Sequence, residues 1–72
     1  MRGRHPMKRK LREGIRGDLD KDRHVAIPAG EIVELTDIVI GGKRRVHWSR
    51  STEGMGFLMV DDSELEARSD PM

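Results

Sequence analysis

The 72-residue sequence predicts an all-β fold, a small barrel or roll of about five short strands with one short helical or 3-10 turn. Several runs are rich in Val, Ile and Thr, whose side chains are branched at Cβ and favour strands. Glycine-containing turn signals separate these runs. No stretch keeps the apolar period of a helix for more than about one turn. A chain of this length forms one domain with a small core.

The part of the chain before Val25 predicts little regular structure. From Lys8 to Ile15 the pattern is irregular and basic, and only Leu11 and Ile15 are expected in the core. The run GDLDKDRH, residues 17–24, is polar and rich in turn-forming residues, so it is predicted to be a loop.

The run VAIPAGEIVELTDIVI, residues 25–40, predicts a short strand, a turn and a longer strand. Pro28 fixes φ at the first turn position, and Gly30 is able to take the positive φ that a tight reversal needs. Gly41 and Gly42 then give a two-residue hairpin signal, because both central positions of a type I′ turn need positive φ.

Placing the hairpin turn at these two glycines sets the register of the next strand, KRRVHW. The predicted pairs are Ile40 with Lys43, Thr36 with His47, and Leu35 with Trp48. Side chains alternate between the two faces of a sheet. The core face is then expected to carry Val33, Leu35, Val46 and Trp48, with Arg45 and His47 on the opposite face.

The last third of the chain predicts a turn, a strand and a short helical segment. RSTEG, residues 50–54, is the turn, and MGFLMV, residues 55–60, is a third apolar strand. DDSELEA then predicts a single helical or 3-10 turn anchored by Leu65, with Asp62 or Ser63 as its cap. The expected organisation is a flexible basic arm at 1–7, one domain at 8–67 and a loose tail at 68–72.

Three of these runs together resemble small SH3-like β-barrels of the kind found in bacterial and phage proteins. They are IPAGEIVEL, GGKRRVHW and GFLMVDDSELE, and the resemblance covers residues 25–66. It implies the barrel fold and leaves open a bacterial, phage or mobile-element origin. It implies little about function, because this fold supports many unrelated functions.

The sequence offers no catalytic or metal-binding pattern, so we expect a protein that is not an enzyme and needs no cofactor. Asp18, Asp20 and Asp22 alternate as in a calcium loop, but Arg23 stands where that loop needs glycine and Ala29 where it needs glutamate. The three histidines lack metal-ligand spacing, and no serine lies in a nucleophile motif.

Charge is distributed unevenly along a chain whose formal net charge is only +1. Residues 1–12 carry six Lys or Arg and no acid, whereas residues 53–72 carry six Asp or Glu and one Arg. The chain has no cysteine and no apolar run near the ~20 residues that span a bilayer. We therefore expect a cytoplasmic protein without a membrane partner.

One functional hypothesis is nucleic-acid binding through basic side chains of the N-terminal arm and the hairpin. Lys and Arg engage phosphates by releasing counterions. The candidate residues are Arg9, Lys10, Arg12, Lys43, Arg44, Arg45 and Arg50.

The preferred hypothesis is protein binding, either to itself or to a partner that it inhibits. Outward-facing apolar side chains beside the basic residues of the hairpin would form an amphipathic patch, which indicates an interface. The candidate residues are Ile38, Ile40, Lys43, Arg45, His47, Phe57 and Met59. No small-molecule substrate is evident.

Overall fold

A computed structural model describes residues 7–52 and 54–72 of the chain. Within these residues one antiparallel sheet contains seven strands in the order β3-β2-β6-β5-β4-β1-β7. The strands are β1 (Met7–Leu11), β2 (Ile15–Asp18), β3 (His24–Ile27), β4 (Ile32–Ile40), β5 (Lys43–His47), β6 (Phe57–Asp61) and β7 (Ser69–Pro71). The all-β prediction is confirmed, but the predicted five strands are wrong, and the sheet does not close into a barrel because β3 and β7 remain as its edges.

The core lies on one face of the sheet and is covered at one end by the helix α1 (Asp62–Arg68). Its buried members come from seven elements: Leu11, Ile15, Ile27, Val33, Val46, Leu58, Val60 and Leu65. Leu11 and Ile15, expected in the core from the sequence, are both buried. Trp48 is half-buried and packs against this cluster.

The Gly41-Gly42 hairpin forms as predicted, with φ of +59° and +80° at the two glycines and Ile40 opposite Lys43. On the N-terminal side of Val39 the predicted register of β4 against β5 is wrong. An irregularity in β4 places Leu35 opposite Val46 and not opposite Trp48.

The Thr36 hydroxyl explains how β4 tolerates this irregularity. It donates to the carbonyl of Arg45 (2.7 Å) and accepts from the Ile38 amide (3.2 Å), so it replaces part of the regular hydrogen-bond ladder. Five steps of β4, from Leu35 to Ile40, face three steps of β5, a shift of two residues. Since two is the period of a strand, each side chain keeps its predicted face.

The segment before Val25 is more regular than predicted. β1 pairs with β4 on one side and β7 on the other, so the basic run MKRKL is an interior strand. The predicted loop at 17–24 is a hairpin instead, in which β2 pairs with β3. Asp20 organises its turn, because its carboxylate accepts from the amides of Asp22 and Arg23. Of the predicted arm, residues 1–6 lie outside the described residues, and Met7 begins β1.

Gly30 takes the predicted positive φ, +90°. The turn at 28–30 is nevertheless not a hairpin, since β3 and β4 are not neighbours in the sheet. Its backbone is held by β1, where the Leu11 carbonyl accepts from Gly30 N (2.8 Å).

The C-terminal part differs from the prediction in two ways. The helical segment α1 has seven residues rather than one turn, and its N-cap is Asp61 rather than Asp62 or Ser63. The Asp61 carboxylate accepts from Glu64 N (3.0 Å), and Leu65 anchors the helix in the core as expected. A second helical segment, the 3-10 turn Gly54–Gly56, precedes β6.

The predicted loose tail is an ordered edge strand. β7 pairs with β1, and Ser69 is 2% exposed. Arg9 donates from Nε to the Ser69 hydroxyl (2.7 Å) and from Nη2 to the Ser69 carbonyl (2.8 Å). These bonds and the strand pairing are long-range contacts, which explains why the three-residue stretch SDP shows no strand pattern of its own.

Candidate functional site

The outward face of the sheet carries a shallow groove, which we call the outer groove. Its volume is roughly 340 Å³. It is lined by Asp18, Leu19, Ile38, Ile40, Arg45, Phe57, Leu58 and Met59. Five of the seven residues expected at a protein interface therefore line one groove, and the other two, Lys43 and His47, contact residues of its lining.

Strand pairing explains how the floor of the outer groove is assembled. β5 and β6 are neighbours in which Arg45 lies opposite Met59 and His47 opposite Phe57. Cross-strand partners share a face of the sheet. The Arg45 guanidinium carbon lies 4.2 Å from the centre of the Phe57 ring, a cation–π contact. The His47 ring also packs against Phe57, with 4.9 Å between the two ring centres.

The end of β4 supplies an apolar wall to the outer groove. Ile38 is 43% exposed and Ile40 is 68% exposed. Burying one such side chain is worth about 1.5–3 kcal/mol. Burial of these two exposed isoleucines by a partner would therefore contribute substantially to the free energy of binding.

Asp18 closes the other side of the outer groove and joins three basic side chains. Its carboxylate forms an ion pair with Lys43, accepts a hydrogen bond at 2.7 Å from His24 Nδ1 in its donor form, and lies 3.4 Å from Arg16 Nε. The hydrogen bond from Lys43 holds the pKa of Asp18 below its ordinary value, against the opposing effect of burial. This carboxylate is therefore an anion already matched by cations.

Arg45 also lines the outer groove, but its charge is not paired with a described carboxylate. Its guanidinium lies over the Phe57 ring. The groove therefore combines an apolar wall with an arginine able to take an acidic partner.

The residues proposed for nucleic-acid binding do not form one surface. Arg44 and Arg45 are consecutive in β5, and Arg44 turns to the side of α1, where its Nε lies 2.7 Å from Asp62 Oδ1. The hydrogen bond that Arg44 donates to Asp62 raises the pKa of Arg44. Arg44 also donates to the Thr36 carbonyl (2.9 Å).

The remaining nucleic-acid candidates are mostly engaged within the fold. Arg12 donates to the Ala67 carbonyl (2.6 Å) and lies 3.1 Å from Asp70. Arg50 lies 3.4 Å from Glu31, although it is largely exposed. Arg9 is held by Ser69, and Lys10 is exposed on β1.

Trp48 does not offer a free stacking surface. Its indole Nε1 donates to Glu31 Oε1 (2.8 Å), and its ring packs against the core. Within residues 7–52 and 54–72, no group of His, Cys, Asp or Glu has the arrangement of a metal site.

Sequence reasoning missed Asp18 and Leu19 as members of the outer groove. Asp18 ends β2 and Leu19 follows it, and both lie in the stretch 17–24 that was predicted to be a loop. Asp18 reaches the groove because β2 pairs with β6, where it lies opposite Met59. The alternation of Ile15 and Gly17 inward with Arg16 outward was the available signal, but a glycine in a four-residue strand weakens it.

No family model, curated protein or solved structure matches this chain. The resemblance to SH3-like barrels therefore stays a prediction. Among the residues described, no helix has the length and apolar character needed to cross a membrane.

Proposed function

We propose that the chain is a small, non-enzymatic protein-binding module that uses the outer groove to hold a partner with apolar and acidic side chains. It would act by covering a surface of that partner, as an interaction or inhibitor protein does. The observation that carries this proposal is the meeting of Ile38, Ile40 and Met59 with the unmatched Arg45 in one groove.

The chemistry of the outer groove favours a protein over a nucleic acid. A phosphate backbone would gain from Arg45 but nothing from the exposed isoleucines, whereas a protein surface uses both. Arginine and aromatic side chains also carry much of the binding energy at protein interfaces. In addition, Arg9, Arg12, Arg44 and Arg50 are held by acids or carbonyl groups of the fold.

The proposal is tested by partner capture with matched variants. The chain is immobilised as wild type, as Arg45→Glu, as Ile40→Ser, and as Lys10→Glu, a control with the same charge change on β1. We expect the wild type and the Lys10→Glu control to capture a protein that neither Arg45→Glu nor Ile40→Ser captures. Retention of the wild-type complex at about 0.5 M salt would show that screened surface charge is not its main basis.

The same four proteins are then titrated with labelled duplex DNA and single-stranded RNA at low salt. We expect weak binding that Arg45→Glu and Lys10→Glu reduce to a similar extent. Tight binding that falls log-linearly with salt, and that Arg45→Glu alone abolishes, would overturn the proposal in favour of a nucleic-acid function.

A further inference from the structure

The strand β3 leaves one edge of the sheet open. In the part of the chain that the structure describes, β3 pairs only with β2. Backbone N–H and C=O groups of a strand alternate between its two sides. About half of the polar backbone groups of β3 therefore point away from the sheet, toward the place of a further strand.

A second groove, the edge groove, runs beside this open strand. Its volume is roughly 650 Å³. Its lining comes from β2, β3, one residue adjoining each of these strands, and the exposed side of α1: Gly14, Ile15, Arg16, His24, Val25, Ala26, Ile27, Pro28, Glu64 and Arg68. It shares no residue with the outer groove and is therefore a separate surface.

Natural sheets usually protect an open edge, for instance with lysine, proline or an inward-pointing charge. β3, with the sequence HVAI, has none of these within its four residues. An open edge beside an apolar groove is the arrangement that accepts an extended peptide as an added strand.

The two faces of β3 define the side chains that such a peptide needs. Val25 and Ile27 lie toward the core, so positions of the added strand on that face would be apolar. On the outer face His24 and Ala26 are exposed, and Arg16 lies opposite Ala26 with 65% of its side chain exposed. Arg16 and Lys43 share the single carboxylate of Asp18, to which His24 is also hydrogen-bonded, so positive charge is in excess here.

We propose that the β3 edge binds an extended segment of a partner protein in which acidic and apolar residues alternate. The segment would add to β3 as a strand, with its apolar side chains in the edge groove and its acidic side chains beside Arg16 and His24. The edge groove shares no lining residue with the outer groove, so each proposal can fail without the other.

The test uses three short synthetic peptides and the intact protein. The first alternates glutamate and valine, the second has lysine in place of glutamate, and the third repeats the first with alternate backbone amides N-methylated. Affinity is measured by isothermal titration, and the bound surface is mapped by amide hydrogen exchange followed by NMR.

We expect the first peptide to bind and to protect amides of β3, while the other two bind at least tenfold more weakly. N-methylation keeps charge and apolar character but removes the backbone donors, so equal binding of the third peptide would overturn strand addition. Absence of binding by the first peptide at millimolar concentration would also overturn the proposal.

Protein variants then locate the charge preference. Arg16→Gln should weaken binding of the acidic peptide several-fold, and Lys10→Gln, the same change on β1, should leave it unaltered. Protection at Ile40 and Arg45 instead of β3 would contradict the assignment. So would dimerisation without peptide that protects the same β3 amides, since a second copy would then be the occupant.

Discussion

At the scale of one residue, Asp18 shows how the fold brings opposite charges together from separate strands. One carboxylate, 15% exposed, contacts basic side chains of β2, β3 and β5. Because its folded-state pKa is lowered, the ionised form stabilises the native state. That contribution is fully present above the ordinary carboxyl range, near pH 4, and is lost as pH falls through the lowered pKa.

Asp18→Asn should therefore lower the free energy of unfolding by roughly 1 kcal/mol at neutral pH, after allowance for solvent screening of the partly exposed partners. The difference from wild type should shrink as pH falls below about 4. Urea titrations at a series of pH values measure it. Asp22→Asn, in the turn that follows β2, is the control, and an equal loss in both variants at all pH values would rule out the ion-pair explanation.

Gly56 marks a second position where one residue type is required. Its φ is +87°, and an added Cβ would lie 2.7 Å from His47 Nε2 and 3.0 Å from the Trp48 carbonyl oxygen. Gly30 has a similar φ, +90°, but open space around the same position. Alanine substitutions at Gly30 and Gly56 therefore separate the free-energy cost of a positive φ from the cost of a steric clash.

We expect Gly30→Ala to cost about 1 kcal/mol, because alanine is strained at positive φ. Gly56→Ala should cost at least about 1 kcal/mol more, because His47 must also move. Denaturation midpoints at constant m-value measure both. Equal costs would mean that the space beside Gly56 adapts freely.

At the scale of elements, local patterns predicted the hairpin and the apolar strands but not the strands made by long-range pairing. The Gly41-Gly42 turn and the β-branched run of β4 carry their own signals. β1 has basic residues at three of its five positions, and β7 has only three residues with a proline. These two segments form strands because β1 pairs with β4 and with β7, and such long-range pairing is not visible in a local sequence pattern.

Removal of residues 69–72 tests the correction at the C-terminus. We expect a clear loss of stability, about 2 kcal/mol or more, since the truncation unpairs one edge of β1 and frees the Arg9 side chain. A thermal melt of full-length and truncated protein measures the difference. An unchanged melting temperature is the result expected of a loose tail, and it would contradict the pairing of β7 with β1.

At the scale of the whole molecule, the fold separates charge that the sequence presents as one basic run. Consecutive residues of KRRVH turn to opposite faces, where Arg44 meets Asp62 and Arg45 lies over Phe57. Alternation predicted this separation and the outward position of Ile38 and Ile40, although it did not show which side chains of β6 face outward. The acidic partners of the arginines come from distant segments, so the sequence could not show which basic residues stay available.

The most direct test of the central claim, that the outer groove is a protein interface, is photo-crosslinking from two positions of one strand. A photoreactive residue replaces Ile40, in the outer groove, or Ile32, which is also exposed on β4 but does not line the groove. We predict a crosslink to a protein from position 40 that Arg45→Glu removes, and none to that protein from position 32. The claim would be contradicted if the protein crosslinked from position 32 and not from position 40. It would also be contradicted if position 40 crosslinked to nucleic acid and to no protein.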